Sequence, residues 1–184
     1  MSDTHGGGNG AGGATNGGAA TEETGEEKPA PEIRMLAQYI KDVSFENPRV
    51  PDHLPQNYTS PEININVNVN ARALDSDSSD FEVELGLEAK GQQDGQTIFL
   101  VELVYGARIM LKNVPDEMKP PLTLIEGPRM IFPFARRILA DLVRDGGFPP
   151  LLIEPIDFGA LYRHRMEQMQ AKEDGEASSD PASS

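Results

Sequence analysis

The chain has 184 residues, with 30 Asp and Glu against 16 Lys and Arg, and a formal net charge of −14. This charge excludes a nucleic-acid binder and docking on anionic membranes, and it favours cationic partners. The chain has no cysteine, which excludes disulfides and thiolate nucleophiles and suits a cytoplasmic protein. We expect neither a signal peptide nor a membrane-spanning segment, because no apolar run is long enough.

Both ends of the chain have compositions that are typical of disordered tails. Residues 1–31 are dominated by Gly, Ala, Thr, Asn and Glu, and residues 172–184 are acidic and rich in Ser. Such segments bury too little apolar area to offset the entropy of ordering the chain. The composition therefore predicts one folded domain over residues 32–171.

Three strands are predicted in the first half of that domain. Residues 61–74, 81–90 and 97–112 alternate apolar and polar side chains or are continuously apolar, and short polar turns join them. This pattern predicts an antiparallel meander. The preceding segment, 32–46, fits both a helical stripe and a strand, and the local pattern leaves the two open.

The strand over residues 97–112 is apolar on more than one face. Alternation places one apolar set on the same face: Phe99, Val101, Leu103, Tyr105, Ala107, Ile109 and Leu111. The opposite face is also largely apolar in its first half. A small antiparallel domain normally buries one sheet face, so this surplus predicts self-association or a partner with apolar segments.

The second half of the domain is predicted to be helical. Residues 130–145 form a helix whose end is set by Gly146 and Gly147. Its apolar stripe, which we expect in the core, is Ile131, Phe134, Ala135, Ile138, Leu139 and Leu142. An apolar, Pro-containing loop follows, and Asp157 is an N-cap for a shorter last helix. Strands followed by helices indicate an α+β fold.

No catalytic or metal-binding constellation emerges from the sequence. The glycine spacing in residues 8–13 lacks a flanking strand and helix, so it does not predict a dinucleotide site. The acidic run over residues 75–80 lacks the glycine and glutamate of a calcium loop. His5, His53 and His164 are not at metal-ligand spacing. We therefore expect no enzyme and no cofactor.

Three sequence blocks resemble one family, the bacterial protein-export chaperone SecB. They are Tyr39-Ile-Lys-Asp-Val-Ser-Phe-Glu-Asn-Pro48, Phe99-Leu-Val-Glu-Leu-Val-Tyr-Gly106, and Ile131-Phe-Pro-Phe-Ala-Arg136 with Gly147-Phe-Pro149 and Asp157-Phe158. The resemblance implies a four-stranded antiparallel sheet, a long helix and a shorter C-terminal helix, assembled as a dimer of dimers. It also implies that residues 32–46 form a strand.

The resemblance implies a binding function in which no reaction is catalysed. Members of this family hold unfolded preproteins in a secretion-competent state and pass them to the translocation ATPase SecA, using no nucleotide or metal of their own. The alternative that the sequence leaves open is an adaptor that binds one specific folded partner.

The resemblance also implies site residues. Asp42, Glu46, Leu100 and Glu102 match positions tied to SecA docking. Three others, Val101, Leu103 and Tyr105, match positions near the contact between dimers, although the intrachain core is as good an interpretation of each.

Two loops are unusually apolar for connections, which are normally polar and run over the surface. The resemblance places both along the groove that holds unfolded clients. The implied client-binding residues are Phe45, Val50, Leu54, Tyr58, Phe148, Leu151 and Leu152; for Phe148, a position in the core is the better interpretation.

Overall fold

The computed structural model describes residues 29–51, 61–74 and 79–177, and it confirms the α+β fold. Its main elements are strands β1 (Glu32–Glu46), β2 (Glu62–Ala73), β3 (Asp80–Gln93) and β4 (Gln96–Lys112), and helices α1 (Lys119–Pro121), α2 (Gly127–Asp145) and α3 (Phe158–Ala177). A 3₁₀ turn, Asp116–Met118, precedes α1, and a π-helical turn, Leu122–Glu126, follows it. The segment over residues 32–46, which the pattern left open, is a strand.

The four strands form one antiparallel sheet in the order β1-β4-β3-β2. Asp94 and Gly95 connect β3 to β4, and their positive φ values of 52° and 73° are those of a two-residue hairpin turn. The first strand of the chain pairs with the last, so β1 and β2 are the two edges of the sheet.

One face of the sheet, which we call the inner face, forms the core together with α2. The buried side chains of β3 and β4 on this face are Val83, Leu85, Leu87, Ala89, Phe99, Val101, Leu103, Tyr105, Ala107, Ile109 and Leu111. They form one cluster with the buried side of α2, which is Ile131, Phe132, Ala135, Leu139 and Val143. The opposite face of the sheet is the outer face.

The buried side of α2 differs from the predicted stripe at one aromatic residue. Phe134 was expected in the core, but 42% of it is exposed, and Phe132 is buried instead. The helix begins at Gly127, before the predicted start, and its buried residues Phe132, Ala135, Leu139 and Val143 recur at spacings of three or four residues, which places them on the side that faces the sheet. Phe134 is left on the opposite side.

The predicted C-terminal end of α2 and the predicted N-cap of α3 are confirmed. The amides of Gly147 and Phe148 donate to the carbonyl oxygens of Arg144 at 3.0 Å and Val143 at 3.2 Å, which is the bonding pattern of a glycine-terminated helix. At the start of α3, Asp157 Oδ1 accepts a hydrogen bond from the amide of Ala160 at 2.9 Å. Asp157 is therefore the N-cap, as its residue type predicts.

The predicted C-terminal boundary falls inside a helix. The sequence predicts a disordered tail over residues 172–184, but α3 continues through Ala177. Extending a formed helix adds a hydrogen bond with each residue, and Ala, Lys and Glu are strong helix formers, so an acidic composition did not end it. The N-terminal tail prediction concerns residues that lie almost wholly outside the described ones.

Val101, Leu103 and Tyr105 lie in the intrachain core. Their exposed fractions are 0%, 1% and 7% in the isolated chain, because α2 covers the inner face of β4. Burial therefore favours the core interpretation of these three residues, and their place near the contact between dimers stays a prediction. The apolar side chains that do remain exposed in the sheet are mostly on β1, where Leu36, Tyr39, Ile40 and Val43 are 37–48% exposed.

Two neighbouring substitutions on opposite faces of β4 distinguish the core interpretation of Leu103 from the interface interpretation. Leu103→Arg places an unpaired charge in the core and should lower the free energy of unfolding by at least about 3 kcal/mol. Leu100→Arg, on the outer face, should lower it by less than about 1 kcal/mol. Urea unfolding followed by circular dichroism measures both. A stable Leu103→Arg subunit that only dissociates from its neighbours would favour the interface interpretation.

Candidate functional site

The four residues implied in SecA docking come together on the outer face. Ser44 is opposite Glu102 and Glu46 is opposite Leu100 in the register of β1 and β4, while Asp42 is opposite Val104. Directly paired residues share a face of a sheet. Ser44 Oγ also donates to Glu102 Oε2 at 3.1 Å, so the side chains of the two strands are in contact.

A shallow cavity of about 230 Å³ opens beside these residues. Gly86 lies in its floor, and its polar lining consists of Asp42, Glu88 and Glu102 with Asn66 and Asn68. All four strands contribute to the lining of this cavity, and Asp42 is the residue from β1. The cavity presents three carboxylates and two amides to an incoming group.

A second cluster on the outer face joins three strands around Glu82. The Tyr39 hydroxyl donates to Glu82 Oε1 at 2.6 Å, and Arg72 Nε donates to Glu82 Oε2 at 2.6 Å. Lys41 Nζ donates to the same oxygen at 3.2 Å and also pairs with Glu84. Only 5% of Glu82 is exposed. The carboxylate therefore connects β1, β3 and β2 across the outer face.

Gly106 of β4 makes this cluster possible. A Cβ atom at this position would lie 2.7 Å from the Tyr39 ring, closer than side chains approach one another. Gly106 is opposite Tyr39 in the register of β1 and β4. Tyr39 crosses β4 at this point and reaches Glu82 on β3.

These donors hold Glu82 in its ionised form. The hydrogen bond from Tyr39 is the largest cause, with Lys41 and Arg72 adding to it, and together they lower the pKa of Glu82 from 4.5 to about 2 against the opposing effect of desolvation. The same hydrogen bond raises the pKa of Tyr39. This cluster neutralises one acidic residue of the outer face, whereas Asp42, Glu46, Glu88 and Glu102 lie away from it.

The ends of β1 and α2, from which the two apolar loops start, approach each other at one end of the sheet. Asn47 Nδ2, just after β1, donates to the carbonyl oxygen of Gly146 at 3.0 Å, at the end of α2. A Cβ atom on Gly146 would lie 2.1 Å from the Phe45 ring, so glycine is required there. Phe45, Phe99 and Phe148 form an aromatic row, with ring centroids 6.3 Å and 5.0 Å apart.

The structure divides the implied client residues between core and surface. Phe148 is buried, in agreement with the core interpretation, and Phe45 and Leu151 are partly buried against the core. Val50 and Leu152 are exposed, at 47% and 66%. Leu54 and Tyr58 lie outside the described residues. Of the implied client residues that the structure describes, Val50 and Leu152 are therefore the two available at the surface.

A larger cavity, of about 390 Å³, lies between strand β2 and helix α3. We call it the β2–α3 groove; its lining is Val67, Asn68, Val69, Leu124, Leu161, Tyr162, His164, Arg165 and Gln168. Its apolar side chains come from three elements, and no carboxylate is among these described lining residues. The groove therefore combines apolar side chains with polar and cationic ones, in a strongly acidic chain.

Sequence reasoning missed both the Glu82 cluster and the β2–α3 groove. Leu161, Arg165 and Gln168 recur at a spacing of three or four residues, which places them on one side of a helix. Strand β2 alternates Ile or Val with Asn, which is the pattern of a half-covered strand. Neither pattern says that the helix returns to the edge of that strand.

Within the described segments, we find no cluster of side chains suited to a metal ion and no helix long and apolar enough to cross a membrane. The clefts present hydrogen-bonding groups and apolar side chains, but no arrangement for nucleophilic or acid–base chemistry is apparent in their linings. Both sites are therefore suited to binding.

A family model described as "Preprotein translocase subunit SecB" matches residues 26–169. The chain belongs to the SecB family. The matched residues include the whole sheet, α2 and the first part of α3. The match confirms the resemblance carried by the three sequence blocks. SecB proteins are non-enzymatic chaperones of protein export, which agrees with sites that bind without chemistry.

Named relatives support the same family. The chain is 49% identical over 157 residues to the protein-export protein SecB of Bradyrhizobium sp. strain BTAi1, covering 85% of this chain and 94% of that protein. It is 50% identical over 153 residues to the protein of the same name from Azorhizobium caulinodans, covering 83% and 91%.

A solved structure shares the SecB fold. It is the SecB-like chaperone of Mycobacterium tuberculosis in complex with a ChAD peptide from the HigA1 antitoxin. The TM-score is 0.57 at 16% identity, and the alignment covers 67% of this chain and 90% of that one. At this identity the likeness supports the fold.

The Glu82 cluster predicts a specific pH dependence of stability. Because the pKa of Glu82 is lower in the folded chain than its ordinary value of 4.5, its contribution is complete above that value and is lost as the pH falls towards about 2. Glu82→Gln should lower the free energy of unfolding by about 1–3 kcal/mol at neutral pH, and by less in acid. Urea unfolding across this range measures the difference from the unsubstituted chain.

Glu84→Gln is the matched control, because Glu84 lies on the same strand as Glu82 and pairs with Lys41. Its effect should stay below about 1 kcal/mol. A Glu82→Gln penalty that is the same in acid and at neutral pH would show that the ionised carboxylate is not what stabilises the cluster.

Proposed function

We propose that this SecB protein acts in the cytoplasm, where it holds unfolded preproteins in a groove beside strand β2 and delivers them to SecA through its outer face. The observation that carries the proposal is the pairing of an open strand edge with a groove of about 390 Å³ whose lining includes apolar side chains from three elements. Clients bind to these surfaces and leave them without an ATP-dependent step.

An unfolded chain can bind such a groove with little demand on its sequence. An extended segment adds to the edge of a sheet through backbone hydrogen bonds, which all sequences can form, and its side chains enter apolar pockets. Val67 and Val69 of the edge strand and Leu161 of α3 supply the apolar walls. This combination explains broad client binding better than a site with fixed polar contacts would.

The exposed loop residues extend this surface for longer clients. Val50 and Leu152 are the implied client residues that are largely exposed in the described structure, and they project from the loops near the aromatic row. A client that contacts both the groove and these loops binds at two places on one subunit, which raises its residence time.

In this proposal SecA docks on the outer face because that face is acidic. The chain has a net charge of −14, and Asp42, Glu46, Glu88 and Glu102 gather on this face with the exposed edge of Leu100 among them. A cationic segment of SecA can place a Lys or Arg side chain in the shallow cavity above Gly86. Exposed charges of this kind accelerate association and are screened by salt.

Assembly as a dimer of dimers is proposed through β1 and α2. Strand β1 is a 15-residue edge strand with apolar side chains exposed along its length, a feature that monomeric proteins normally avoid. Pairing with a second copy would cover Leu36, Ile40 and Val43. Phe134, on the uncovered side of α2, is 42% exposed and provides a separate apolar contact.

A substitution in the groove tests client binding. Leu161→Ser should weaken binding of an unfolded, signal-bearing preprotein about tenfold, because removing an apolar contact of this size forfeits about 1.5 kcal/mol. Native mass spectrometry with and without the preprotein reports both client occupancy and the tetramer. Met166→Ser is the matched control: it is exposed on the same helix but outside the groove lining.

Equal client binding by the Leu161→Ser and Met166→Ser chains would remove the groove from the client site. Binding of one folded partner, with no binding of unrelated unfolded chains, would favour the adaptor function over the chaperone.

A charge reversal tests SecA docking. Glu102→Lys should weaken SecA binding about tenfold or more at low salt, with a smaller effect at high salt, while preprotein binding stays the same. Surface plasmon resonance against SecA at two ionic strengths measures this. Glu117→Lys, an exposed residue beyond the sheet with the same charge change, should bind SecA normally. If both variants lose affinity equally, net charge alone explains the loss.

A further inference from the structure

One side chain of α3 already occupies the open edge of β2. Arg165 Nη1 donates a hydrogen bond to the carbonyl oxygen of Val69 at 2.8 Å, and both residues line the β2–α3 groove. This hydrogen bond links the helix to the strand across the groove. The bond joins a long arginine side chain to a backbone acceptor.

The position of that acceptor gives the bond its significance. In an antiparallel pair, backbone groups alternate between those that face the neighbouring strand and those that face away. Val69 lies on an edge strand, and its oxygen accepts from a side chain outside the sheet, which indicates that it faces the open edge. By the same alternation, Val67 and Ala71 also face that edge.

We propose that Arg165 is a specificity-determining gate of the client groove, which an incoming client strand must displace from Val69. This inference rests on the proposed function, because it assumes that clients bind by adding to β2. A client strand in register needs the oxygen of Val69 as one of its acceptors. Arg165 occupies that acceptor in the client-free chain, so every client exchanges one hydrogen bond for another at this point.

The gate opens readily because Arg165 is exposed. Once displaced, its guanidinium returns to water at little desolvation cost, and no carboxylate among the described groove residues holds it in place. A segment with enough backbone and apolar contacts displaces Arg165, whereas a short or folded segment does not. The same bond covers part of an edge that would otherwise pair with other chains.

Three full-length variants test the gate against the unsubstituted chain. Arg165→Met keeps the apolar stem and removes the donors; it should bind an unfolded preprotein about fivefold more tightly, which corresponds to about 1 kcal/mol for one hydrogen bond. Arg165→Lys keeps a charged donor and should bind nearly as the unsubstituted chain does. Arg163→Met removes the same charge from the same helix outside the groove lining and should change nothing. Fluorescence anisotropy of a labelled preprotein measures each dissociation constant.

The outcomes separate the gate from the function on which it rests. Tighter binding by Arg165→Met alone supports the gate. Weaker or unchanged binding by that variant overturns it and leaves the client groove standing, since Arg165 would then contact the client directly or be indifferent to it. Equal tightening by Arg165→Met and Arg163→Met overturns it in favour of a general charge effect. Failure of the unsubstituted chain to bind the preprotein overturns the proposed function, and the gate with it.

Discussion

A four-stranded open sheet covered by one long helix leaves one face and two edges uncovered, and the rest of this structure depends on that constraint. Helix α2 covers the inner face and produces a core that includes the inner-face side chains of β3 and β4. The outer face, the β1 edge and the β2 edge remain available. Each of the three has a different composition, and each is proposed here to meet a different partner.

The outer face is held in shape by polar groups because no apolar layer covers it. Glu82 accepts from Tyr39, Lys41 and Arg72, and these bonds connect strands that are not all neighbours in the sheet. A nearly buried carboxylate is tolerated on this face because its oxygens have donors on both sides. The acidic region next to this cluster takes no part in these stabilising contacts and is available to a partner.

The two edges of the sheet differ in how they are covered. Strand β1 exposes apolar side chains and its full length, which suits a permanent contact with another copy. Strand β2 has Asn side chains on the outer face and is partly screened by α3 through Arg165. An edge that is screened but not paired suits reversible binding. Asn68 lines the cavities on both sides of β2, so the client groove and the acidic cavity are separated by one strand.

The sequence by itself determined the elements of this protein and its family. Alternation predicted β2, β3 and β4, the glycines after α2 and the Asp157 cap predicted where helices end and begin, and three blocks of residues indicated SecB. These features are local, since each depends on side chains within a few residues of one another. Acidic residues at one strand parity also brought Asp42 and Glu46 together correctly.

Only the tertiary structure decided which surfaces are covered. Strand periodicity cannot say that α2 lies on the face with Leu103, and for that reason the same residues fitted a core and an interface equally well. It cannot say that β1 pairs with β4, that Tyr39 crosses Gly106 to reach Glu82, or that α3 returns to the β2 edge. These contacts join residues far apart in the chain, and their free energies depend on burial and geometry that exist only after the elements have packed.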